Sequence, residues 1–382
     1  MIKNKIKLLI VYPASDFGGV AHYILRIIRH LPCDRFEIHV AVFGDGPLYA
    51  LLRQENISTH NLKVDYSIFS FLPAVVAFRT LLRKENYNVI HAHTAKAGLL
   101  CCTANKGLFA KIIYTGHVVK LAQHKTFPLS VLFTTIERFI YNSSAFITVL
   151  SKSEYDLGIS NGLLKSNMAK VVSMSIDVDS FLRITQEDAE NQRKKFNIPP
   201  NAFVIGMIGR LTFQKDPELF VKVAATLNSQ IDNMYLLWVG DGDLREKIIR
   251  MASRLGISHK LRITGHQDSV DIPKLLSAID IVLYTSRFEG LPIALLEAMA
   301  AKKLIVAANV GSIQDIIQDN ITGWLFEAGD YKKAALLVEN IYKNKPKLSD
   351  IGKSALDVIV TKYSPKEKMA KAFQYIYEEV LK

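Results

Sequence analysis

Ten short, strongly apolar segments recur along the 382 residues, and longer stretches with a helical pattern separate them. Segments that are apolar on both faces and alternate with helices are typical of buried parallel β-strands. The sequence therefore predicts an α/β chain with two doubly wound sheets, which bind ligands at the carboxyl ends of their strands. In chain order the segments are KIKLLIVYP, FEIHVAVF, YNVIHAH, KIIYTGH, AFITVL, AFVIGMIGR, MYLLWVG, KLRITG, IDIVLYTS and KLIVAA.

A polar, highly charged segment lies between the fifth and sixth strands and gives the predicted domain boundary. We expect one Rossmann-like domain over residues 1–184, a linker over 185–201 and a second Rossmann-like domain over 202–364. A last helix, over 365–382, follows the second sheet. The chain is long enough for two hydrophobic cores, and the ligand is expected in the cleft between them.

Composition indicates a water-soluble protein of a reducing compartment. The apolar fraction is 49% and the charged fraction 22%, values typical of globular proteins. The three cysteines, Cys33, Cys101 and Cys102, have neither disulfide nor metal-site spacing, which favours the cytoplasm. The longest uncharged apolar stretch, Tyr66–Phe78, is too short to span a bilayer and contains Pro73.

The positive charge is concentrated in the first half of the chain. Residues 1–183 contain 21 Lys and Arg against 12 Asp and Glu, a net charge of +9, whereas the remainder contains 27 against 24, a net charge of +3. A basic surface favours anionic partners, such as lipid headgroups, phosphorylated substrates or nucleic acid. A generally basic proteome explains the same charge equally well.

The segment RFEGLPIALLEAMA, Arg287–Ala300, places two glutamates at an apolar helix that follows a strand. Glu289 stands before the helix, where its carboxylate can accept hydrogen bonds from ligand hydroxyls. Glu297 stands inside the helix, and burying it without partners would be costly. A carboxylate that accepts from two ribose hydroxyls would be satisfied there. A partner in the backbone or a basic side chain would satisfy Glu297 as well.

The start of this helix is a second candidate ligand site. Pro292 is expected in the first helical turn, where its missing N–H costs nothing. The free backbone N–H groups of Gly290, Leu291 and Ile293 can therefore bind sugar oxygens or a phosphate.

The loop after the sixth strand combines two cations with a helix start. The strand is expected to end at Gly209, and Arg210 and Lys215 follow it in the loop. Asp216 and Pro217 then match the N-cap and first position of a helix. Two cations beside a helix N-terminus make a good site for a diphosphate.

Two glycines follow the first strand, in SDFGGVAHYI, where Gly18 and Gly19 let the backbone approach a ligand closely. The spacing is not G-x-G-x-x-G, and no acidic residue closes the next strand at the dinucleotide spacing. The segment VGDGDLREK also fails, because Arg245 occupies the place of the third glycine. A nicotinamide-dependent dehydrogenase is therefore disfavoured.

Three histidines close two strands of the first domain: His91 and His93 end YNVIHAH, and His117 ends YTGH. His117 follows a glycine, so its ring can reach a ligand, although strand-end histidines are often structural. No third ligand at metal-site spacing accompanies them, and none is expected. The D-x-D pairs at 177–179 and 241–243 are short enough to occur by chance, and we interpret both as structural.

Taken together, these motifs resemble the retaining glycosyltransferases of family 4, which have the GT-B fold of two Rossmann-like domains facing across a cleft. The resemblance covers essentially the whole chain and is nearest to bacterial members that build capsule, exopolysaccharide or lipopolysaccharide. The motifs that carry it, in order, are FGGVAHYI, VIHAHTAKAGLL, YTGHVV, ITVLSKSE, GRLTFQKDPELF, VGDGDLR, RFEGLPIALLEAMA and NITGWLF.

The resemblance implies how a nucleotide would be held. Arg210 and Lys215 would bind the donor diphosphate, and Glu297 would bind the ribose. His266 and Gln267 would border the base.

The resemblance also indicates which residues would hold the donor sugar. Glu289 and the backbone at Gly290 and Leu291 would hold the sugar, while Gly18 and Gly19 would face the diphosphate from the other domain.

His117 would lie beside the sugar, and helix 365–382 would cross back to pack on the first domain. Two positions depart from the family pattern: Val118 replaces a frequent glycine, and VGSIQD, residues 310–315, replaces G-G-x-P-E. The second loop usually borders the nucleotide-sugar, so the departure bears on which donor is used.

The implied reaction moves a hexosyl or N-acetylhexosaminyl group from a nucleotide-sugar, expected to be a UDP-sugar, to a hydroxyl with retention of configuration. We expect no metal, with Arg210, Lys215, Glu289 and His117 as the catalytic groups. No second carboxylate stands out as a nucleophile, which favours a front-face transfer in which the diphosphate oxygen takes the acceptor proton.

The expected acceptor is a glycan or a polyprenyl-diphosphate-linked oligosaccharide, and no nucleic-acid partner is expected. The basic first domain and two amphipathic stretches, Tyr66–Lys84 and His124–Tyr141, favour docking on the anionic inner face of the cell membrane. Both stretches fit ordinary packed helices equally well. The alternatives for the activity are a GT-B epimerase, hydrolase or phosphorylase and a non-catalytic regulatory subunit.

Overall fold

The computed structural model describes residues 5–16, 18–62, 70–117, 129–344, 348–364 and 366–382. The chain forms two compact units. The first comprises residues 1–175 together with 366–382, and the second comprises residues 176–365. Each unit is built around one parallel sheet with helices between successive strands.

The sheet of the first unit has seven parallel strands in the order β3-β2-β1-β4-β5-β6-β7. The strand order reverses between β1 and β4, which is the switch point where doubly wound sheets bind ligands. The strands are β1 (Ile6–Tyr12), β2 (Phe36–Val42), β3 (Ser58–Asn61), β4 (Val89–His93), β5 (Lys111–Thr115), β6 (Phe146–Val149) and β7 (Ala169–Val171). The helices of this unit are α1 (Gly19–His30), α2 (Pro47–Gln54), α3 (Phe71–Glu85), α4 (Thr94–Ala104), α5 (Leu129–Ser143), α6 (Lys152–Ser160) and, at the end of the chain, α16 (Lys366–Glu379).

The sheet of the second unit has six parallel strands in the order β10-β9-β8-β11-β12-β13, with the switch point between β8 and β11. The strands are β8 (Phe203–Ile208), β9 (Met234–Val239), β10 (Leu261–Ile263), β11 (Ile281–Tyr284), β12 (Leu304–Ala308) and β13 (Trp324–Phe326). The helices are α7 (Val178–Leu182), α8 (Gln186–Lys195), α9 (Pro217–Leu227), α10 (Arg245–Arg254), α11 (Ile272–Ser277), α12 (Ile293–Ala300), α13 (Ile313–Ile316), α14 (Tyr331–Asn344) and α15 (Ser349–Val358).

The ten predicted strands are all present, and three further strands extend the sheets: β3, β7 and β13. All three lie at sheet edges and are only three or four residues long. An edge strand packs fewer side chains into a core, and β3 has no fully buried residue. β3 and β7 therefore lack the apolar pattern that reveals central strands, whereas β13 is apolar but only three residues long.

The segment expected as a linker, residues 185–201, contains helix α8 instead and belongs to the second unit. Thr185 caps the helix through a capping box with Asp188. Arg193 anchors it by donating to Asp280 Oδ2 at 2.9 Å. Because α8 has no buried residue, its sequence resembles a solvated linker. The chain passes between the units at 175–176 rather than at 185–201, whereas the second crossing, at 365–366, lies one residue from the predicted boundary.

The last helix, α16, belongs to the first unit. Phe373 and Tyr377 are fully buried along one face of the helix. The Tyr377 hydroxyl lies 2.7 Å from Nδ1 of His91, on β4. Arg35 pairs with Glu378 at 3.0 Å. The helix thus packs its buried face against the first unit, and Tyr377 contacts His91 near the carboxyl end of β4.

Helices that could cross a bilayer are absent from the described ranges, where none is both long and apolar enough. The predicted stretch Tyr66–Phe78 falls partly outside the described residues, and its described end forms the start of α3.

Candidate active site

The candidate residues of the second unit lie on two loops that flank its switch point. Strands β8 and β11 are hydrogen-bonded neighbours with parallel register, and each is followed by a loop at the carboxyl edge of the sheet. The loop after β8 carries Arg210 and Lys215, and the loop after β11 carries Glu289. Residues that are far apart in sequence meet there because the strand order reverses.

Lys215 and Glu289 form a buried ion pair at the centre of this edge. Lys215 Nζ lies 2.5 Å from Glu289 Oε1, with side-chain exposures of 15% and 5%. Nζ also lies 2.7 Å from the hydroxyl of Tyr284 and 4.8 Å from the centroid of its ring. Two of the three ammonium donors are therefore used within the protein, and one remains for a ligand.

Tyr284 is fully buried as the last residue of β11. Burial raises its pKa well above the usual value, and the charge of Glu289 adds to the effect. The phenol therefore stays protonated and neutral and supports Lys215 without adding charge.

The backbone that presents Lys215 is fixed from both sides. A single 3₁₀ turn, Phe213–Lys215, ends at Asp216, which has a left-handed φ of 46° and caps α9. The hydroxyl of Thr285 donates to the Lys215 carbonyl at 2.8 Å. Arg287 pairs with Asp216 at 2.8 Å. The loops after β8 and β11 are thus tied together at several points besides the Lys215–Glu289 pair.

A third loop, after β12, supports Glu289 from the other side. Gly311 has a φ of 54°, and a Cβ there would lie 2.0 Å from the Glu289 carbonyl oxygen. The hydroxyl of Ser312 donates to the carbonyl of Gly290. Only glycine fits at position 311, because both the backbone conformation and the available space exclude a side chain.

Arg210 is exposed, and its guanidinium makes no hydrogen bond or ion pair with any residue that the structure describes. It stands in the same loop as Lys215, close to Gly209, whose carbonyl accepts from Trp238 Nε1 at 2.8 Å. The two predicted diphosphate ligands therefore differ: Lys215 is held rigidly, and Arg210 projects into solvent.

The remaining second-unit candidates lie at the same edge. Gly290 and Leu291 precede α12, which starts at Ile293 with Pro292 as its N-cap, one position earlier than the first-turn place predicted from the sequence. Glu297 is half-buried on α12, and its charge contributes to the raised pKa of Tyr284.

His266 and Gln267 follow β10, where the Gln267 amide donates to the carbonyl of Thr264 at 3.1 Å. Gly265, in the same turn, bridges to Gly240 after β9.

In the first unit, Gly18 caps α1 and Gly19 begins it, at the end of the connection that follows β1. His91 and His93 lie on β4, and His117 follows β5. The glycines and the histidines thus share the carboxyl edge of one sheet. Val118 lies outside the described residues.

Burial favours the uncharged form of all three histidines. Burial lowers the pKa of His91 and of His117 to about 3 and holds that of His93 well below its usual value. Across the part of the chain that the structure covers, no three His, Cys, Asp or Glu side chains are grouped to hold a metal ion. Independence from metal stays a prediction.

Both halves of the chain match models of sugar-transferring enzymes. Residues 17–180 match the model described as Glycosyltransferase Family 4, and residues 188–358 match that described as Glycosyl transferases group 1.

The chain belongs to the family 4 glycosyltransferases.

Curated relatives match the glycosyltransferase over most of its length. The N-acetyl-alpha-D-glucosaminyl L-malate synthase of Bacillus anthracis is 26% identical, over 97% of this chain and 96% of the relative. The UDP-Gal:alpha-D-GlcNAc-diphosphoundecaprenol alpha-1,3-galactosyltransferase of Escherichia coli is 24% identical, over 86% and 85%.

Among solved structures, Anabaena HepE in complex with UDP-glucose superimposes with a TM-score of 0.84 at 20% identity, covering 98% of this chain and 99% of that one. This likeness confirms the GT-B fold, with its two Rossmann-like domains.

Two supports of the glycosyltransferase site were missed in the sequence. Tyr284 ends a fully apolar strand and looks like a core residue, and Gly311 stands in a loop that departs from the family pattern. One signal could have identified Tyr284. It is an aromatic residue with a hydroxyl group, and it stands at the last position of a strand, just before the loop that carries Glu289.

We predict that Gly311→Ala lowers sugar-transfer activity at least tenfold, because its Cβ must displace the Glu289 carbonyl and with it the Lys215 pair. Gly329→Ala is the matched control, since Gly329 also has a left-handed φ of 90° but has open space around its Cβ position. Both variants should lose stability from backbone strain. Equal activity in the two variants would show that the loop after β12 does not position Glu289.

Proposed function

We propose that this glycosyltransferase moves a sugar from a UDP-sugar to a hydroxyl of a glycan or polyprenyl-diphosphate-linked acceptor, with retention of anomeric configuration. The observation that carries the proposal is the Lys215–Glu289 pair beside the exposed Arg210 at the switch point of the second sheet. The bound ligand named for HepE and the lipid-diphosphate acceptor named for the Escherichia coli relative support it.

In this proposal the diphosphate binds to the cations of the loop after β8. Lys215 gives its remaining N–H to a phosphate oxygen, and Arg210 closes on the diphosphate from solvent with its planar donor fork. As the sugar leaves, negative charge accumulates on the diphosphate, and preorganised cations stabilise that charge without reorganising.

Glu289 has two roles in the proposal. Its Oε1 holds Lys215, and Oε2, which lies 3.5 Å from the Gln214 amide, accepts from a hydroxyl of the donor sugar. Glu297 binds the ribose, Gly290 and Leu291 offer backbone N–H groups, and His266 and Gln267 border the base. The roles of Gly18, Gly19 and His117 rest on the resemblance alone.

We expect UDP-sugars to raise the thermal unfolding temperature in a panel with GDP-mannose and ADP-glucose. A donor present at 100 times its Kd stabilises the protein by about 2.7 kcal/mol. The best donor is then incubated with and without lipid-linked acceptors in EDTA, and NMR gives the anomeric configuration of the product.

A product of the donor's configuration supports retention, and an inverted product contradicts it. Donor turnover without acceptor would favour the epimerase or hydrolase alternative. Binding without turnover on any acceptor would favour the regulatory subunit. Trapping a covalent glycosyl-enzyme would contradict front-face transfer.

We predict that Lys215→Ala lowers kcat/KM by about 100- to 1,000-fold, because an electrostatic contact to the developing charge is lost. The variant also leaves Glu289 buried without its cation, so stability must be measured separately. Lys215→Ala/Glu289→Gln removes that stranded charge and should recover stability but not turnover. Lys222→Ala, at an exposed position on α9, is the matched control. Near-normal turnover in Lys215→Ala would remove Lys215 from the diphosphate site.

Membrane docking is the second part of the proposal. Helix α5 exposes Val131, Leu132 and Phe139, and Arg138 is exposed among them. An outward apolar set beside a cation is typical of a helix that rests on an anionic membrane.

We predict that the protein floats with phosphatidylglycerol vesicles at low salt and that Leu132→Asp reduces this binding severalfold, since a charge then enters the apolar contact. Leu336→Asp in the second unit is the control, because Leu132 and Leu336 are 55% and 48% exposed. Flotation that both variants reduce equally, or none in the wild type, would contradict docking through α5.

A further inference from the structure

Two histidines at the carboxyl edge of the first unit's sheet share a single hydrogen bond. Nδ1 of His93, at the end of β4, lies 2.9 Å from Nε2 of His117, after β5. The other ring nitrogen of His93, Nε2, is buried and has no hydrogen-bond partner. His93 itself is 0% exposed.

Only two proton arrangements are compatible with this bond, because each neutral imidazole carries one N–H. If His117 donated from Nε2, the proton of His93 would lie on its own Nε2, as a buried N–H without an acceptor. If His93 donates from Nδ1, only a bare lone pair is left at its Nε2. Orphaned buried N–H groups are rarer than under-satisfied acceptors and cost a full desolvation penalty.

We infer that His93 donates its Nδ1 proton to His117 and thereby fixes His117 in the tautomer that carries its proton on Nδ1. Burial supports the neutral state of both rings, since it keeps their pKa values far below neutral pH. The tautomer follows from the hydrogen-bond pattern rather than from any visible proton.

The hydrogen bond from His93 determines which nitrogen of His117 can bind a ligand. Its Nε2 is occupied by His93, and its Nδ1 makes no hydrogen bond with a residue in the described ranges. His117 therefore offers one N–H to an oxygen ligand, such as a sugar hydroxyl or a phosphate oxygen. It has no free lone pair with which to accept a proton, so it binds rather than acts as a base. The binding of a substrate oxygen by the Nδ1–H of His117 rests on the proposed function. The assignment of the tautomer does not depend on that function.

His93 packs against His91, whose ring is itself held by two hydrogen bonds. The ring of His91 lies 4.1 Å from that of His93. Both nitrogens of His91 are engaged, at 2.7 Å from the Tyr377 hydroxyl and at 2.7 Å from the Thr115 hydroxyl. His93 is thus a positioning residue, and α16 contributes to its support through Tyr377.

The ring of His117 is oriented by Tyr23. The two rings are perpendicular, with centroids 5.2 Å apart. The Tyr23 hydroxyl donates to the carbonyl of Val172 at 2.7 Å, which fixes the tyrosine in turn.

The tautomer is tested by NMR on the full chain labelled with ¹⁵N-histidine, without ligand. The resonances of His117 are assigned among the ten histidines by their loss in His117→Gln. We expect a pyrrole-type Nδ1 and a pyridine-type Nε2 in the wild type. The reverse assignment overturns the inference. Because no substrate is present, failure of the proposed activity leaves this result intact.

The positioning role is tested with His93→Leu, which removes the donor, and His93→Asn, which keeps an N–H. The first should shift His117 towards the Nε2–H tautomer and lower kcat/KM about three- to tenfold, the effect of one neutral hydrogen bond. His93→Asn should retain both the Nδ1–H tautomer of His117 and the wild-type kcat/KM. The control is His60→Leu, which removes a histidine from a separate cluster around Tyr87.

An unchanged tautomer in His93→Leu would refute the positioning role. A changed tautomer with unchanged kinetics would show that His117 does not contact the substrate. If His93→Leu fails to fold, the wild-type spectrum and His93→Asn still decide the tautomer.

Discussion

The site of this glycosyltransferase depends on a carboxylate and an ammonium that are both largely withdrawn from water. Burying such a pair seldom adds net stability, because desolvation of the charges offsets their attraction. Removing one partner, however, costs about 3–5 kcal/mol in comparable cases, because the other charge is left uncompensated. The Lys215–Glu289 pair is therefore better explained by what it presents to a ligand than by its contribution to folding.

Three loops hold the Lys215–Glu289 pair, and each contributes in a different way. The loop after β8 delivers Lys215 through a 3₁₀ turn that ends in a left-handed Asp216. The loop after β11 brings Glu289, and the loop after β12 passes so close to it that only Gly311 fits. The first unit uses a different device, a hydrogen bond between two histidines, His93 and His117, in which the proton position of one ring sets that of the other. The second unit thus presents a buried ion pair, Lys215–Glu289, whereas the first unit presents an oriented hydrogen bond between two histidines.

The central strands and the loops at the second switch point could be predicted because each has a local signal. A buried parallel strand is apolar on both faces, and the sequence around Lys215 and Glu289 follows a family pattern. The edge strands β3 and β7 lack that signal because they bury few side chains, and β13 is apolar but only three residues long. Helix α8 was hidden because all its faces are polar, so that capping and Arg193–Asp280 stabilise it instead of core burial. The pairing of Lys215 with Tyr284 depends on which strands are neighbours, and a sequence pattern read along the chain does not contain that information.

The first unit is discontinuous in sequence, because residues 366–382 belong to it while residues 176–365 form the second unit. During synthesis the second unit therefore has its whole chain before the first unit does. Phe373 and Tyr377, which are fully buried in the first unit, are synthesised only after the whole of the second unit. Domains generally complete their folding as units once their chain is available. His91, which bonds to Tyr377, therefore gains its final environment only after the chain of the second unit has been synthesised.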